Sequence, residues 1–241
     1  MTTTTPDISV VIPAYNEAEN LAPLLTELEL ALSAVGRSYE LVLVDDGSDD
    51  GTGALLLEAA RRDPRVRPVR LAARSGQSAA LAAGFAHLRG RIVVTLDADL
   101  QNDPADLPRL LAALEHADVV SGIRANRQDP AVRRISSRIA NGFRRWVLGD
   151  RVTDIGCSFK AYRREALEGL PMFVGVHRFL PALCQFRGAR LVEVGLSHRP
   201  RRLGRSKYGV GNRLWRGLHD LVGVRWLKSR LVRYRVRDDS R

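Results

Sequence analysis

The chain has 241 residues, 45% of them hydrophobic, and a formal net charge of +11. This length and composition predict one globular domain, or one domain with an appendage. No run of about 18 uncharged apolar residues occurs, and the N-terminus lacks the basic and apolar regions of a signal peptide, so neither a membrane span nor a leader is expected. Cys157 and Cys184 fit no disulfide framework or metal spacing and are expected to be free thiols.

The first half of the chain alternates strands with helices. Apolar runs rich in β-branched residues predict five strands, within residues 8–17, 39–48, 66–72, 91–101 and 118–124. Apolar residues at helical spacing predict the helices between them, at residues 17–35, 51–63, 76–90 and 103–117. Asp103 is the expected N-cap of the last helix, and Pro104 its first residue. This alternation predicts an α/β fold with a mostly parallel, Rossmann-like sheet covered by helices on both faces.

Acidic residues follow three of these strands at the point where each strand ends. Glu17 follows the first strand, Asp45 and Asp46 the second, and Asp97 and Asp99 the fourth. Ligands of such sheets bind beyond the carboxyl ends of the strands, which is where these residues fall. Adjacent parallel strands would bring the ends within several ångströms, where bare carboxylates repel one another. A divalent cation would remove that repulsion.

The segment DADLQ is the candidate metal site. Mg²⁺ and Mn²⁺ take oxygen ligands, usually one or two carboxylates with substrate phosphates. From an extended segment, Asp97 and Asp99 would point the same way, and Gln101 continues that side. The alternative is that the two acids only cap turns. A P-loop motif and a strand-linked GxGxxG motif are absent, which argues against an NTPase and a dinucleotide-binding fold.

The combined motifs carry a family resemblance. VVIPAYNE, DDGSDDGT and DADLQNDP, in this order, resemble the family 2 inverting glycosyltransferases, which have the GT-A fold. DIGCSFKAYRRE, HRFLPAL and HRPRRLGRSKYGVGNR are similar to segments of the polyprenol-phosphate glycosyltransferases of the dolichol-phosphate mannose synthase type. The resemblance covers roughly residues 8–236. It implies inverting transfer of a hexose-type sugar from a UDP- or GDP-sugar to a polyprenyl phosphate, with Mg²⁺ or Mn²⁺ as cofactor.

The resemblance also implies roles for individual residues. Donor contacts are expected from Pro13, Tyr15, Glu17, Asp45, Asp46, Gln77, Asp97, Ala98, Asp99, Arg124, Arg201 and Lys207. The expected metal ligands are Asp97, Asp99 and Gln101. Catalytic roles are expected for Asp99, Asp154 and Lys207, and acceptor contacts from Arg124, Arg133 and Arg178. The chain departs from the family pattern at residues 74–77, RSGQ, where the family often has Asn.

The acceptor class decides whether a general base is needed. A hydroxyl acceptor needs one, whereas a phosphomonoester, with a second pKa of about 6, is largely dianionic at pH 7. Asp154 is the candidate base for the alternative reaction, transfer to a soluble or protein hydroxyl; otherwise it would position Arg178 or Lys160. The stretch GRSKYG, with Lys207, is either a lid over the diphosphate or a solvated basic turn.

Basic charge is concentrated near the end of the chain, where residues 199–241 hold fourteen Lys or Arg and three Asp. Residues 131–148 carry an apolar helical stripe among several arginines, typical of a helix lying on anionic lipid, and the segment after Gly211 repeats this pattern. Both stripes could instead pack on the domain. We expect a catalytic domain at residues 1–208 and a basic amphipathic helical extension at 209–241.

These features predict a protein peripheral at the cytoplasmic face of the membrane, and they leave open whether it has a membrane-anchored partner. Nucleic acid is not an expected partner, because no RNP, KH or helix-turn-helix pattern occurs and the acidic edge would repel a phosphate backbone. A third hypothesis is that the protein is a non-enzymatic scaffold, and the intact acidic motifs argue against it.

Overall fold

The structure, a computed structural model, describes residues 5–125, 131–200 and 213–232, with the backbone alone at 131–138 and 213–216. The strands are Ile8–Ala14 (β1), Tyr39–Asp45 (β2), Val66–Arg70 (β3), Ile92–Thr95 (β4), Val119–Arg124 (β5), Lys160–Arg163 (β6) and Leu191–Leu196 (β7). The α-helices are Ala18–Val35 (α1), Thr52–Arg62 (α2), Gln77–His87 (α3), Leu107–Leu114 (α4), Ala131–Leu148 (α5), Arg164–Leu167 (α6), Leu180–Phe186 (α7) and Arg213–Ser229 (α8). Short 3₁₀ helices lie at Pro104–Asp106 and Val176–Arg178.

The strands form one sheet in the order β3-β2-β1-β4-β6-β5-β7. All neighbours are parallel except β6, which runs antiparallel to both β4 and β5. The predicted α/β class and mostly parallel sheet are therefore confirmed. The assumption that the two acid-ending strands are adjacent is wrong, because β1 lies between β2 and β4. With strands about 4.8 Å apart, the ends of β2 and β4 lie about 10 Å apart.

The core consists of two apolar layers, one on each face of the sheet. Alternating side chains of β1 belong to different layers: Val10 lies in the layer that contains the leucines of α1 and α4, and Val11 lies in the layer that contains residues of α3 and α7. The strands can be apolar on both faces because helices cover both, as expected for a parallel sheet. Cys157 and Cys184 are free and buried in these layers, as predicted.

The predicted elements of the first half are confirmed, with two differences that affect the site. β4 ends at Thr95, so neither acid lies on the strand: Asp97 follows it, and Asp99 lies in the turn that comes next. The helix expected from Asp103 begins with a 3₁₀ turn, and Asp103 caps it by accepting a hydrogen bond from the Ala105 amide at 3.0 Å. β6, β7, α6 and α7 were not predicted.

The helix pair α5 and α8 packs against the sheet domain and against each other. Leu221 and Val224 of α8 are buried in the same layer as α7, and the Lys228 ammonium donates to the Leu148 carbonyl at the end of α5. Packing of the second stripe on the domain, left open by the sequence, is thus observed for these side chains. The expected domain boundary at residue 208 lies outside the described residues. Within the described ranges, no helix is both long and apolar enough to cross a bilayer.

Candidate active site at the carboxyl edge of the sheet

Backbone strain marks the carboxyl edge of the sheet. Among the described residues, two that are not glycine have a positive φ: Asn16 at 52°, after β1, and Leu100 at 59°, after β4. Such conformations cost about 1–3 kcal/mol each and cluster at functional sites. Both outliers lie next to predicted donor or metal residues, Tyr15 and Glu17 in the first case and Asp99 and Gln101 in the second.

The two acids that end β2 hold neighbouring loops in place. Oδ1 of Asp45 accepts a hydrogen bond from the Ser48 amide at 2.9 Å, and its Oδ2 lies 3.5 Å from Nε of Arg70. The Asp46 carboxylate accepts from the Ser75 amide at 2.7 Å and from the Gly76 amide at 2.8 Å. Both carboxylates are almost completely buried. These contacts organise the edge of the site.

The loop at residues 73–77 connects the two sides of this edge. A Cβ on Gly47 would lie 2.5 Å from the Arg74 amide nitrogen, so β2 and the loop approach each other closely. The Arg74 guanidinium stacks 4.3 Å from the centre of the Tyr15 ring. At the other end of the loop, Nε2 of Gln77 donates to Oδ1 of Asp97 at 2.7 Å. The stretch that departs from the family pattern therefore spans from Tyr15 to the candidate metal site.

The turn after β4 carries the candidate metal ligands. Asp99 is 8% exposed, and its Oδ1 accepts from the Gln101 amide at 3.2 Å. Within the described ranges no group of three or more His, Cys, Asp or Glu is arranged to hold a metal. Two carboxylates on a strained turn, Asp97 and Asp99, nevertheless fit an ion whose coordination is completed by substrate phosphates and water. The four predicted acids, Asp45 and Asp46 at the end of β2 and Asp97 and Asp99 after β4, therefore do not form a single cluster.

A basic segment is attached directly to this turn. The Arg199 amide donates to the Gln101 carbonyl at 2.8 Å, and Asn102 forms an isolated antiparallel bridge with His198. The Arg199 guanidinium pairs with Asp103 at 2.6 Å and with Glu27 of α1 at 2.8 Å. The chain therefore enters residues 201–212 beside the candidate metal ligands. The predicted donor residues Arg201 and Lys207 lie outside the described residues.

Asp154 and Arg124 form a partly buried ion pair next to the site. Oδ2 of Asp154 accepts from Nε of Arg124 and Oδ1 from Nη2, both at 2.8 Å, and Oδ1 also accepts from the Gly156 amide at 3.1 Å. Burial acts to raise the pKa of Asp154, but the hydrogen bonds and charge of Arg124 outweigh it, so the pKa is lowered. The expected positioning partners, Arg178 and Lys160, are not its hydrogen-bonding partners; Asp154 positions Arg124.

Behind these carboxylates lies a buried polar network around Lys160 and His177. Nζ of Lys160 donates to the His177 carbonyl at 3.2 Å. Nδ1 of His177 lies 2.9 Å from Oγ of Ser78, which accepts from the Gly175 amide at 2.9 Å. The Ser78 hydroxyl therefore joins the His177 ring to the backbone of residue 175. Burial, with the charges of Arg178 and Lys160, lowers the pKa of His177 to about 3.

The remaining predicted residues are placed as follows. Pro13 lies on β1 opposite Val44, and Ala98 is buried in the turn after β4. The Glu17 amide donates to Oγ1 of Thr52 at 3.0 Å, which ties the end of β1 to α2. Arg178, a predicted acceptor contact, pairs with Asp220 of α8 at 2.6 Å. The side chain of Arg133 lies outside the described residues.

No contact at the site was predicted from the sequence for four of the residues that organise this edge: Arg74, Ser78, His177 and Arg199. Ser78 follows Gln77 at the start of a predicted helix, and His177 precedes Arg178 in a quoted motif, so their positions were available. Their pairing was not, because 99 residues separate them along the chain. Arg199 was counted only as part of a basic tail.

Comparisons with known proteins identify the family of this chain. The family model for glycosyl transferase family 2 matches residues 9–170. Undecaprenyl-phosphate 4-deoxy-4-formamido-L-arabinose transferase of Edwardsiella ictaluri is 42% identical over 217 residues, covering 89% of this chain and 66% of that protein. The enzyme of the same name from Klebsiella pneumoniae subsp. pneumoniae is 41% identical with the same coverage. This chain thus spans about two-thirds of the length of these curated relatives.

Solved structures show the same fold. Glucosyl-3-phosphoglycerate synthase from Mycobacterium tuberculosis, in complex with Mn²⁺, UDP and phosphoglyceric acid, superposes with a TM-score of 0.70 at 22% identity, covering 95% of this chain and 80% of that one. Its complex with Mn²⁺ and UDP-glucose gives 0.68 at 23% identity, covering 92% and 79%. The fold is therefore the α/β GT-A fold, as the resemblance implied. By the family model that covers most of its sheet, the chain belongs to glycosyl transferase family 2.

Proposed function

We propose that this chain is a metal-dependent inverting glycosyltransferase that moves a sugar from a nucleotide-diphosphate sugar to a polyprenyl phosphate. The observation that carries the proposal is the carboxyl edge of the sheet. There the strained turn bearing Asp97 and Asp99 lies beside the loop of Gln77, with the Arg124–Asp154 pair nearby. The names of the undecaprenyl-phosphate transferases to which the chain is similar support the acceptor class.

On the donor side, a nucleoside would lie against Tyr15 and the stacked Arg74, with Glu17, Asp45 and Asp46 fixing the surrounding loops. A bound Mg²⁺ or Mn²⁺, held by Asp97 and Asp99 on the side of Gln101, would offset the charge of the departing diphosphate. Gln77 would keep the Asp97 carboxylate oriented before the donor arrives. Lys207, on the segment that begins beside this turn, would add positive charge.

On the acceptor side, Arg124 is the candidate contact for the phosphate. Asp154 holds its guanidinium with two parallel hydrogen bonds, a geometry that fixes the orientation of the fork. Because the pKa of Asp154 is lowered and both of its oxygens accept hydrogen bonds, the carboxylate is a poor proton acceptor. A dianionic phosphate nucleophile needs no base. These contacts favour a phosphate acceptor over the alternative hydroxyl acceptor.

A lipid acceptor also requires contact with a membrane surface. Ile139, Phe143 and Trp146 of α5, three or four residues apart, are 67%, 49% and 80% exposed. Leu218, Val222 and Trp226 of α8 are also exposed. Such side chains beside basic residues are typical of a helix lying at an anionic interface. Arg144 does not belong to that basic surface, because it is buried in an ion pair with Asp150 at 2.8 Å.

Transfer of label into an organic phase tests the proposed function. The full chain would be incubated with labelled UDP- and GDP-sugars, Mg²⁺ or Mn²⁺, and polyprenyl phosphate in detergent. We expect a chloroform-soluble labelled product that requires both the lipid and the cation and is lost with EDTA. Absence of that product with every common donor would contradict the proposed function.

A further inference from the structure

A buried lysine lies in the middle of the sheet edge that carries the candidate site. Lys160 opens β6, where its register partners are Thr95 of β4 on one side and Ser121 of β5 on the other. It is 2% exposed. β4 leads two residues later to Asp97, and β5 leads three residues later to Arg124, so the lysine stands between the donor and acceptor sides of the site.

The lysine is held by the same turn that supports the start of α3. Its ammonium donates to the His177 carbonyl at 3.2 Å, and the His177 ring pairs with Ser78 at 2.9 Å. Ser78 follows Gln77, whose amide donates to Asp97 at 2.7 Å. Lys160 and Asp97 are therefore fixed relative to each other through one hydrogen-bonded turn and one helix terminus. The hydrogen bonds therefore give the Lys160 side chain a defined position at this edge of the sheet.

The charges around the lysine determine its effect. Burial, together with the charge of Arg124, lowers the pKa of Lys160, and the neighbouring Cys157, Asp97 and Asp154 act in the opposite direction. Asp154 already shares its two oxygens with Arg124. Asp97 belongs to the candidate metal site and lies two residues beyond Thr95, the register partner of Lys160, so the ammonium there offsets part of the carboxylate charge that a divalent cation would use. In a low-dielectric interior this repulsion of a cation is much stronger than in water.

We propose that Lys160 is a positioning residue that makes divalent-cation binding depend on the diphosphate of the donor. Without a nucleotide, the fixed ammonium weakens the attraction of the Asp97–Asp99 turn for a bare cation. A diphosphate brings the negative charge that offsets both the cation and the ammonium, so cation and nucleotide bind together. This inference rests on the proposed function, because it takes the metal and donor sites as assigned above.

Binding measurements on Lys160→Met test the inference without any turnover. Affinity for Mn²⁺ alone would be measured by electron paramagnetic resonance, and affinity for UDP and GDP by calorimetry with and without Mn²⁺. We expect Lys160→Met to bind Mn²⁺ alone about tenfold more tightly than the unaltered chain. The factor by which Mn²⁺ strengthens nucleotide binding should fall by a similar amount, because coupling between two ligands is reciprocal.

Two further variants keep the test decisive. Ser121→Ala, in the same cross-strand row, removes a hydroxyl without changing charge and should leave Mn²⁺ affinity unchanged. Lys160→Gln removes the same charge with a polar side chain and should reproduce the effect of Lys160→Met, so loss of packing is controlled for. If both Lys160 variants kept the Mn²⁺ affinity of the unaltered chain and the same coupling between Mn²⁺ and nucleotide binding, this inference would be wrong and the proposed function would be unaffected. A chain that binds neither nucleotide with Mn²⁺ would overturn the proposed function as well.

Discussion

The carboxyl edge of the sheet and the α5–α8 face are built on different principles. At the sheet edge nearly every carboxylate has a defined partner: Asp46 holds the amides of Ser75 and Gly76, and Asp154 holds Arg124. On the α5–α8 face, large apolar side chains such as Trp146 stand exposed. Binding at the sheet edge would depend on hydrogen bonds between individual atoms, which require a defined geometry. Binding through the apolar face would depend on the total apolar area that is buried. Single substitutions should therefore have large effects at the edge and small ones on the face.

The largest effect is expected at the metal turn. Asp97→Asn and Asp99→Asn should each lower the transfer rate at least about 100-fold, because each removes a charge from the candidate metal site. For each variant, the transfer rate at saturating donor concentration and the affinity for Mn²⁺ would be measured. Glu58→Gln on α2 is the matched control, since it also removes one carboxylate charge but lies on the exposed surface of a helix. Near-normal activity of Asp99→Asn would show that the turn does not hold the metal.

The next effect is expected at the ion pair on the acceptor side. Arg124→Gln and Asp154→Asn should each lower kcat/KM for the lipid acceptor about 10–100-fold. The double variant should be little worse than either single variant, because residues that act through one contact are not additive. Kinetics of the three variants provide the check. An inactive Asp154→Asn beside an active Arg124→Gln would instead identify Asp154 as a general base.

A smaller effect is expected on the apolar face. Replacing Ile139, Phe143 and Trp146 with Ser should weaken binding to anionic vesicles about tenfold, since burial of apolar side chains at the interface contributes to such binding. The thermal midpoint should change little, because all three are exposed. Vesicle sedimentation at low salt measures the binding. Leu30→Ser on α1, equally exposed at 68%, is the control. Equal vesicle binding by the triple variant would remove α5 from the interface.

The smallest effect concerns the pH dependence of stability. With the pKa of His177 lowered from 6.5 to about 3, the unfolded chain binds a proton between these values that the folded chain does not. The unfolding free energy should therefore fall as pH decreases from about 6.5 towards 3, by a few kcal/mol at most. His177→Asn should flatten this slope in chemical denaturation at several pH values, while the exposed-site control His116→Asn should not. Equal slopes in both variants would mean that His177 is not held neutral.

The first half of the fold could be predicted from the sequence because parallel strands that contain apolar runs, such as β1 and β2, alternate there with helices. β1 to β3 and α1 to α3 appear where periodicity placed them, within a few residues, whereas β4 ends at Thr95, short of the predicted residue 101. β6 was missed for a physical reason. Its sequence KAYR includes the polar residues Lys160 and Arg163, so it lacks the apolar run of a buried parallel strand, and it runs antiparallel to both neighbours.

The candidate site was only partly readable. The types and positions of the acids identified the carboxyl edge of the sheet as the site. They did not show which carboxylates bind the amides of a neighbouring loop and which lie in the candidate metal site after β4. Asp46 depends on the backbone of residues 75–76, and that geometry is set by the close approach of Gly47. The same holds for Arg144. It lies among surface arginines in the sequence, so its buried ion pair with Asp150 could not be predicted. Hydrogen-bonding partners distant in sequence leave no periodic signal.

Comparison of two lipid acceptors that differ only in the phosphate tests the central claim most directly. The full chain would be given one labelled donor, Mn²⁺, and either polyprenyl phosphate or the corresponding polyprenol. We expect label to enter the organic phase with the phosphate alone, because Arg124 is oriented for a phosphate and Asp154 is a poor base. Transfer to the polyprenol at a comparable rate would contradict the assignment of a phosphate acceptor to this site.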